Sequence, residues 1–295
     1  MNLPSLSVIV LTYNHEEFIA ECIESILSQE VTFEFEIIIC DDASTDGTAK
    51  LVQEMASKSP KIRPFYHAEN KQPAENFTFA VQQSRGNILA LCEGDDFWHA
   101  KDKLQLHWNV FDADPSISLT YANYRKVDEN GEVVSEACLQ DQHENFNLRD
   151  LIHKQGPSTH SMVFLRSVLP ERFPKDFYRV LNPDTFIMAW AIKHGKSKYI
   201  DRVQASYRVH SGGIWSQKTE LEKRLIRYST LLKVYRNLPE NTRQEEEILM
   251  PLLFHLLTKV RFKNRQLYSQ ILADIPRALR WTYRLKTSYY RLKNG

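Results

Sequence analysis

The sequence predicts an α/β fold, a largely parallel sheet flanked by helices and followed by a helical extension. Three observations carry this. Through the first hundred residues, short apolar runs alternate with amphipathic stretches, which is the pattern of βαβ units. The unusual polar residues all stand just after the apolar runs, at Thr12-Tyr13-Asn14, Asp41-Asp42, Asn70-Lys71 and Glu93-Gly-Asp95-Asp96. Beyond Gln217 strand patterns vanish and only helical spacing remains.

Leu6 to Leu11 is apolar on both faces, as a buried strand requires. Ile19, Cys22, Ile23, Ile26 and Leu27 then recur at helical spacing, so Glu16 to about Ser28 is expected to be an amphipathic helix. Phe35 to Cys40 is a second strand. Leu51, Val52, Met55 and Ala56 mark the inner face of the helix that follows. A strand over Ile62–Tyr66, a helix over Asn76–Ser84 and a strand over Ile88–Cys92 continue the alternation. Right-handed crossovers with helices on both faces follow from that order. Further on, a helix is expected over Lys101–Phe111, a strand over Ile117–Tyr124 and a hairpin around Asp128-Glu-Asn-Gly131. Ser135–Asn147 reads as a loop, Ser161–Leu165 as an antiparallel strand, Asp184–His194 as a helix stopped by Gly195, and Tyr199–Arg208 as a strand. Leu221 to Tyr235 and Ile248 to Leu257 carry the two helices of the extension.

Composition bounds the function. The chain has 295 residues, 42% hydrophobic and 25% charged, with a net charge of +1, so nothing global favours nucleic acid. Its four cysteines, Cys22, Cys40, Cys92 and Cys138, show no CxxC spacing and mostly fall in apolar runs, as in a reducing compartment. The start Met1-Asn-Leu-Pro lacks a basic n-region, and no apolar run approaches about 18 residues, so neither a secretory signal nor a membrane span is expected. No GxGxxG follows the first strand and no GxxxxGK[ST] occurs, which disfavours a dinucleotide or P-loop site.

The acidic turn Glu93-Gly-Asp95-Asp96 ends a buried strand where α/β folds bind ligands. Its carboxylates repel one another unless a cation or a donor-rich ligand joins them, and oxygen ligands this close suit Mg2+ or Mn2+. A solvated acidic turn is the plainer alternative.

Leu6-Ser-Val-Ile-Val-Leu-Thr-Tyr-Asn14, Asp41-Asp-Ala-Ser-Thr-Asp-Gly-Thr48 and Glu93-Gly-Asp-Asp96, in this order and at these intervals, resemble the successive motifs of family 2 glycosyltransferases with the GT-A fold. The resemblance covers about residues 5–125 closely and 155–216 more loosely. Glu93-Gly-Asp-Asp-Phe-Trp98 and Tyr207-Arg-Val-His-Ser-Gly-Gly-Ile-Trp215 make the chain most similar to bacterial enzymes that build surface polysaccharides. The resemblance implies a mixed sheet, a GT-A domain over 1–216 and a helical extension over 217–295. Within that domain, 1–125 would bind the nucleotide sugar and 126–216 the acceptor.

The resemblance also implies roles. Thr12, Tyr13 and Asn14 would line the nucleotide pocket, Asp42 would accept a hydrogen bond from the base (uracil in most relatives), and Asn70 and Lys71 would lie nearby. Asp95 would hold the metal or ribose, Asp96 would support the same metal cluster, and His210 would complete the metal shell. Glu93 stands where the family carries Asp, with ribose or metal as its contact. Asp184 matches the catalytic base, although Asn182 and Pro183 precede it where relatives often carry an acid. The activity implied is inverting transfer from a UDP-linked sugar to a glycan or lipid-linked acceptor, assisted by Mn2+ or Mg2+, in the cytoplasm at the inner face of the membrane. Plainer readings stand beside these. Asp184 could be a first-turn helix carboxylate, His210 a surface loop histidine, Asp42 a helix cap, and Tyr13 and Trp98 core aromatics. A silent nucleotide-sugar-binding scaffold and a nucleotidyltransferase are the alternative functions; the second usually carries a Gly-rich loop after its first strand, and this chain does not. The stretch 276–295 is basic with interleaved Trp and Tyr. That composition suits an anionic membrane surface, another subunit, or a solvated tail.

Overall fold

The computed structural model describes residues 5–139, 146–148, 150–153, 156–238, 249, 251–253, 255, 257 and 265–275. The expected helix over Ile248–Leu257 falls largely, and the basic stretch 276–295 entirely, outside the described residues.

Strands β1 (Leu6–Thr12), β2 (Phe35–Asp41), β3 (Ile62–Tyr66) and β4 (Ile88–Glu93) alternate with helices α1 (Ile19–Leu27), α2 (Thr48–Lys58) and α3 (Gln72–Gln83). They form a parallel block in the order β3-β2-β1-β4. Every residue of β2 is buried, and so are all of β1 but Leu11 and all of β4 but Glu93, which accounts for their unbroken apolar runs. Helix α1 starts at Ile19 rather than Glu16 because His15 to Phe18 form a turn in which the His15 carbonyl accepts the Phe18 and Ile19 N–H groups. Helix α3 starts earlier than its apolar spacing suggests, with Pro73 in its first turn, where the missing N–H costs nothing.

The second half turns the sheet mixed. Strand β5 (Phe97–Trp98) and helix α4 (Lys103–Ala113) lead into β6 (Ile117–Val127), and β7 (Val133–Ser135) pairs with the end of β6 as a hairpin. After the short helix α5 (Asp150–His153) and a 3-10 turn at Thr159–Ser161 comes β8 (Met162–Leu165). It runs antiparallel to both β4 and β6 and fills the gap between them. Helix α6 (Asp184–His194) returns the chain to β9 (Lys196–Arg208), which is parallel to β6 and carries β5 on its far side. Among the described residues nine strands make one sheet. Helices α7 (Glu220–Asn237) and α8 (Arg265–Asp274) follow, and none of the described helices is long and apolar enough to cross a membrane. Strand β5 had no counterpart in the sequence reading, since two residues carry no periodicity.

Candidate functional site

Strand register brings the polar residues to one edge. Tyr66 pairs with Asp41, Asp41 with Thr12, and Leu11 with Glu93, so the carboxyl ends of β3, β2, β1 and β4 stand side by side. Each loop is then stitched to its neighbour. Asp42 N–H donates to the Thr12 carbonyl at 2.9 Å, His67 N–H to Asp41 at 2.9 Å and Gly94 N–H to Leu11 at 2.9 Å.

The residues named for the nucleotide divide by what their side chains already do. Thr12 is buried and its Oγ1 lies 3.3 Å from His15 Nδ1, whereas Tyr13 is exposed at the lip. Asn14, with φ of 54°, ties the first two loops together: its Oδ1 accepts Thr45 N–H at 2.8 Å and its own N–H donates to Ser44 Oγ at 2.8 Å. Asp42 is buried and its Oδ1 accepts Lys71 N–H at 2.6 Å. The start of α2 is served instead by Asp46, whose Oδ1 accepts Thr48 N–H at 3.0 Å. Asn70 caps Gln72 N–H at 3.0 Å, and the Lys71 ammonium turns away to Glu69.

Beyond Glu93 the two aspartates face opposite ways. Asp95 Oδ2 lies 3.0 Å from His210 Nε2 and 3.8 Å from His15 Nε2. Burial works against its ionisation, yet the His210 hydrogen bond and the two imidazoles hold its carboxyl below the usual range. The Asp95 bond raises His210 in turn, and burial lowers His15. Asp96 points inward. Its Oδ2 lies 2.7 Å from His160 Nδ1 and its Oδ1 accepts Arg208 N–H at 2.8 Å. Burial, with Asp95 adding, pushes Asp96 well above the ordinary carboxylate range. Each Asp96 oxygen thus has an interior partner, whereas Asp95 Oδ2 faces His210 and His15. Glu93 is half-buried with Oε2 enclosed and unpartnered, and burial raises its carboxyl to about 8. Ligand atoms of Glu93, Asp96 and His160 lie within 4.8 Å of one another, a grouping that the sequence reading missed because nothing marked His160. His160 is fully enclosed between Tyr124 and Tyr207, and burial lowers it to about 4.

His210 reaches Asp95 across a long sequence interval because β5 follows the acidic turn at once and pairs with Ala205 and Ser206 of β9. Arg208, next to them, locks this arrangement. Its guanidinium bonds the Asp95 carbonyl at 3.0 Å, the Glu129 carbonyl at 3.0 Å and the Glu21 carboxylate of α1, and it lies over the Phe18 and Phe97 rings. Trp98 is a core residue, donating from Nε1 to the His160 carbonyl at 3.0 Å.

Asp184 opens α6. The helix ends against the start of β6, where Ser118 Oγ donates to the Ala191 carbonyl at 2.6 Å and Lys196 N–H to Ser116 at 2.8 Å. A run of 11 residues carries its first residue about 16 Å back from there. Asp184 Oδ1 is enclosed without a partner, and burial raises the carboxyl to about 6. Helix α7 braces this corner, with Thr230 Oγ1 donating to Asn182 Oδ1 at 2.6 Å.

The chain is similar to known proteins at three levels. The family model "Glycosyl transferase family 2" matches residues 7–173. An uncharacterized protein of Mycobacterium tuberculosis, Rv1520, is 30% identical over 211 residues, which is 71% of this chain and 60% of that protein. The chain thus spans 60% of the length of this curated relative. Among solved structures, Staphylococcus aureus TarS in complex with UDP-GlcNAc superposes with a TM-score of 0.69 at 19% identity, covering 93% of this chain and 82% of that one. Mannosyltransferase PcManGT of Pyrobaculum calidifontis, in complex with GDP-Man and Mn2+, gives 0.59 at 20% identity over 93% and 74%. At these identities the likeness is one of fold, the GT-A fold with its curled mixed sheet.

Proposed function

The chain belongs to glycosyl transferase family 2, and on that premise we propose that it moves a sugar from a nucleoside-diphosphate donor, UDP-linked, to a hydroxyl of a glycan or lipid-linked acceptor, with inversion. The observation that carries the proposal is the convergence of four strand ends on one edge, with Asp95 and His210 in contact at its end. That TarS holds UDP-GlcNAc and PcManGT holds GDP-Man on the same fold supports a nucleotide sugar as donor.

A cation fits the donor set. Asp95 offers an ionised oxygen, and His210 a nitrogen beside it, a pairing that suits Mn2+ or Mg2+ with Mn2+ the better match to imidazole. Bound there, the ion supplies positive charge against the diphosphate that leaves. Asp42 and Tyr13 would contact the base, and Thr12 and Glu93 the ribose and diphosphate. Asp96 takes the supporting part, fixing the backbone between Asp95 and Phe97 through His160 and Arg208. Asp184 removes the proton of the acceptor hydroxyl, so that oxygen attacks the anomeric carbon on the face opposite the leaving group and a single displacement inverts the centre. Asp184 Oδ1, enclosed and without a partner, keeps its lone pairs for that step, which favours an enzyme over a silent scaffold.

By resemblance the pathway is bacterial surface-polysaccharide assembly at the inner face of the membrane; the basic, aromatic composition of 276–295 supports that stretch as the contact to anionic lipid. The experiment is a panel of UDP-, GDP- and dTDP-sugars with Mn2+ or Mg2+, read by nucleoside diphosphate release. Metal-dependent consumption of one donor, abolished by a chelator, is expected. If no donor is consumed or bound, the proposal fails.

A further inference from the structure

His15 lies outside the roles assigned so far, yet three of the four strand ends meet on it. Its backbone N–H donates to Thr48 Oγ1 at 2.8 Å, and Thr48 is itself held by Asp46 at 2.6 Å. Its carbonyl accepts Phe18 N–H at 2.9 Å and Ile19 N–H at 2.8 Å, which opens α1. With the backbone anchored on both sides, the ring lies against Gly94. A Cβ at Gly94 would come within 2.6 Å of Thr12 Oγ1 and 2.8 Å of His15 Nδ1, so no side chain can stand between Glu93 and Asp95 without displacing both.

The ring's two nitrogens face different groups. Nδ1 lies 3.3 Å from Thr12 Oγ1. Nε2 faces Asp95 Oδ2 at 3.8 Å, beyond hydrogen-bond length, while His210 already holds that same oxygen at 3.0 Å. The two imidazoles stand nearly perpendicular with centroids 6.3 Å apart. When the Thr12 hydroxyl donates to Nδ1, the proton sits on Nε2 and the ring presents an N–H donor to the pocket beside Asp95. A donor at that place suits an anionic oxygen that a cation on Asp95 and His210 would also attract.

We propose that His15 binds the diphosphate of the donor, its Nε2–H donating to a phosphate oxygen while Thr12 holds Nδ1. This rests on the glycosyltransferase reading above. The test compares wild type with His15→Asn and His15→Gln, both of which keep an amide at the site. Glutamine reaches the position of Nε2; asparagine reaches only that of Nδ1. Affinity is measured for UDP, GDP or dTDP, whichever the wild type binds most tightly, by titration calorimetry in Mn2+. The matching nucleoside is followed by saturation-transfer NMR, and Mn2+ alone is titrated separately.

H15N is expected to weaken diphosphate binding about tenfold, as loss of a charge-assisted hydrogen bond does, with nucleoside and Mn2+ binding unchanged. H15Q should recover to within about threefold. Equal diphosphate affinity in H15N and wild type overturns the proposal. So does a parallel loss for the nucleoside, which would make His15 a loop support, or a matching loss of Mn2+ alone, which would make it a metal ligand. A wild type that binds none of UDP, GDP and dTDP brings down the glycosyltransferase reading itself; an intact wild type with a silent H15N brings down only this inference.

Discussion

Asp184, the proposed base, is a side chain whose burial costs stability. Its enclosed Oδ1 has no partner, and burial lifts the carboxyl to about 6, above the 3.8 of the unfolded chain. The folded state therefore binds more protons between those values, and the ionised group costs stability above about pH 6. Asp184→Asn should cut kcat about a thousandfold. The same variant should melt higher than wild type at about pH 8 and match it at about pH 4, read by thermal unfolding. In wild type, kcat/KM should rise with pH and level off above about 6, the limb expected of this proposed base. Its role was legible only by resemblance, since a carboxylate opening a helix reads equally as a first-turn charge. Asp95 and Asp96 were less legible still. Sequence adjacency suggests one shared cluster, but in the turn closed by Asp96 N–H on the Glu93 carbonyl the two carboxylates meet different histidines, and His160, the partner of Asp96, lies far along the chain in a 3-10 turn with no motif around it.

At the level of elements, the ladder from β1 to β4 could be read because buried strands are apolar on both faces and helices repeat with their own period. Strand β5 exists only through its pairing with β9, so no local pattern reports it. Helix α4 hides a second feature that periodicity cannot show. Lys103 is fully buried, its Nζ 3.3 Å from His107 Nε2 and 5.0 Å above the Trp98 ring, and burial lowers it to about 7. His107 meets Thr120 of β6 at 2.7 Å and Gln204 of β9 at 2.8 Å, so this polar file joins α4 to the sheet. A lysine at about 7 when folded and 10.5 when unfolded makes the unfolded chain the better proton binder between those values. Stability should climb as pH rises from about 7 to about 10, and Lys103→Met should lack that climb. Urea unfolding near pH 7 should show the methionine variant more stable by about 2 kcal/mol, since it removes an unpaired buried charge.

Taken whole, the chain binds its extension closely. Leu225, Leu231, Leu232 and Tyr235 of α7 are fully buried. Tyr235 Oη donates to the Leu148 carbonyl at 2.7 Å and Asn237 Nδ2 to Asp176 at 2.9 Å. A boundary at 216 thus separates sequence patterns more cleanly than it separates packing, because helical spacing reports an apolar face without naming what covers it. A chain ended after 216 should be insoluble, judged by sedimentation of the expressed protein. Removal of 276–295 alone should abolish co-sedimentation with vesicles rich in anionic phospholipid. Retained vesicle binding in that shortened chain would reject the lipid-contact reading of the tail.

Strand β8, the antiparallel insert between β4 and β6, also sets an order of events during synthesis. Ile88 pairs with Leu165, and Phe97 with Ser206, so the parallel block emerges from the ribosome long before its neighbours exist. Until residues 162–165 arrive, β4 stands as an open edge with unpaired amides and an apolar face, the kind of surface that recruits foreign strands. Closure of that edge needs contacts distant in sequence, which makes it a slow step. The nascent chain is therefore most in need of a chaperone in the interval between completion of β4 and delivery of β8.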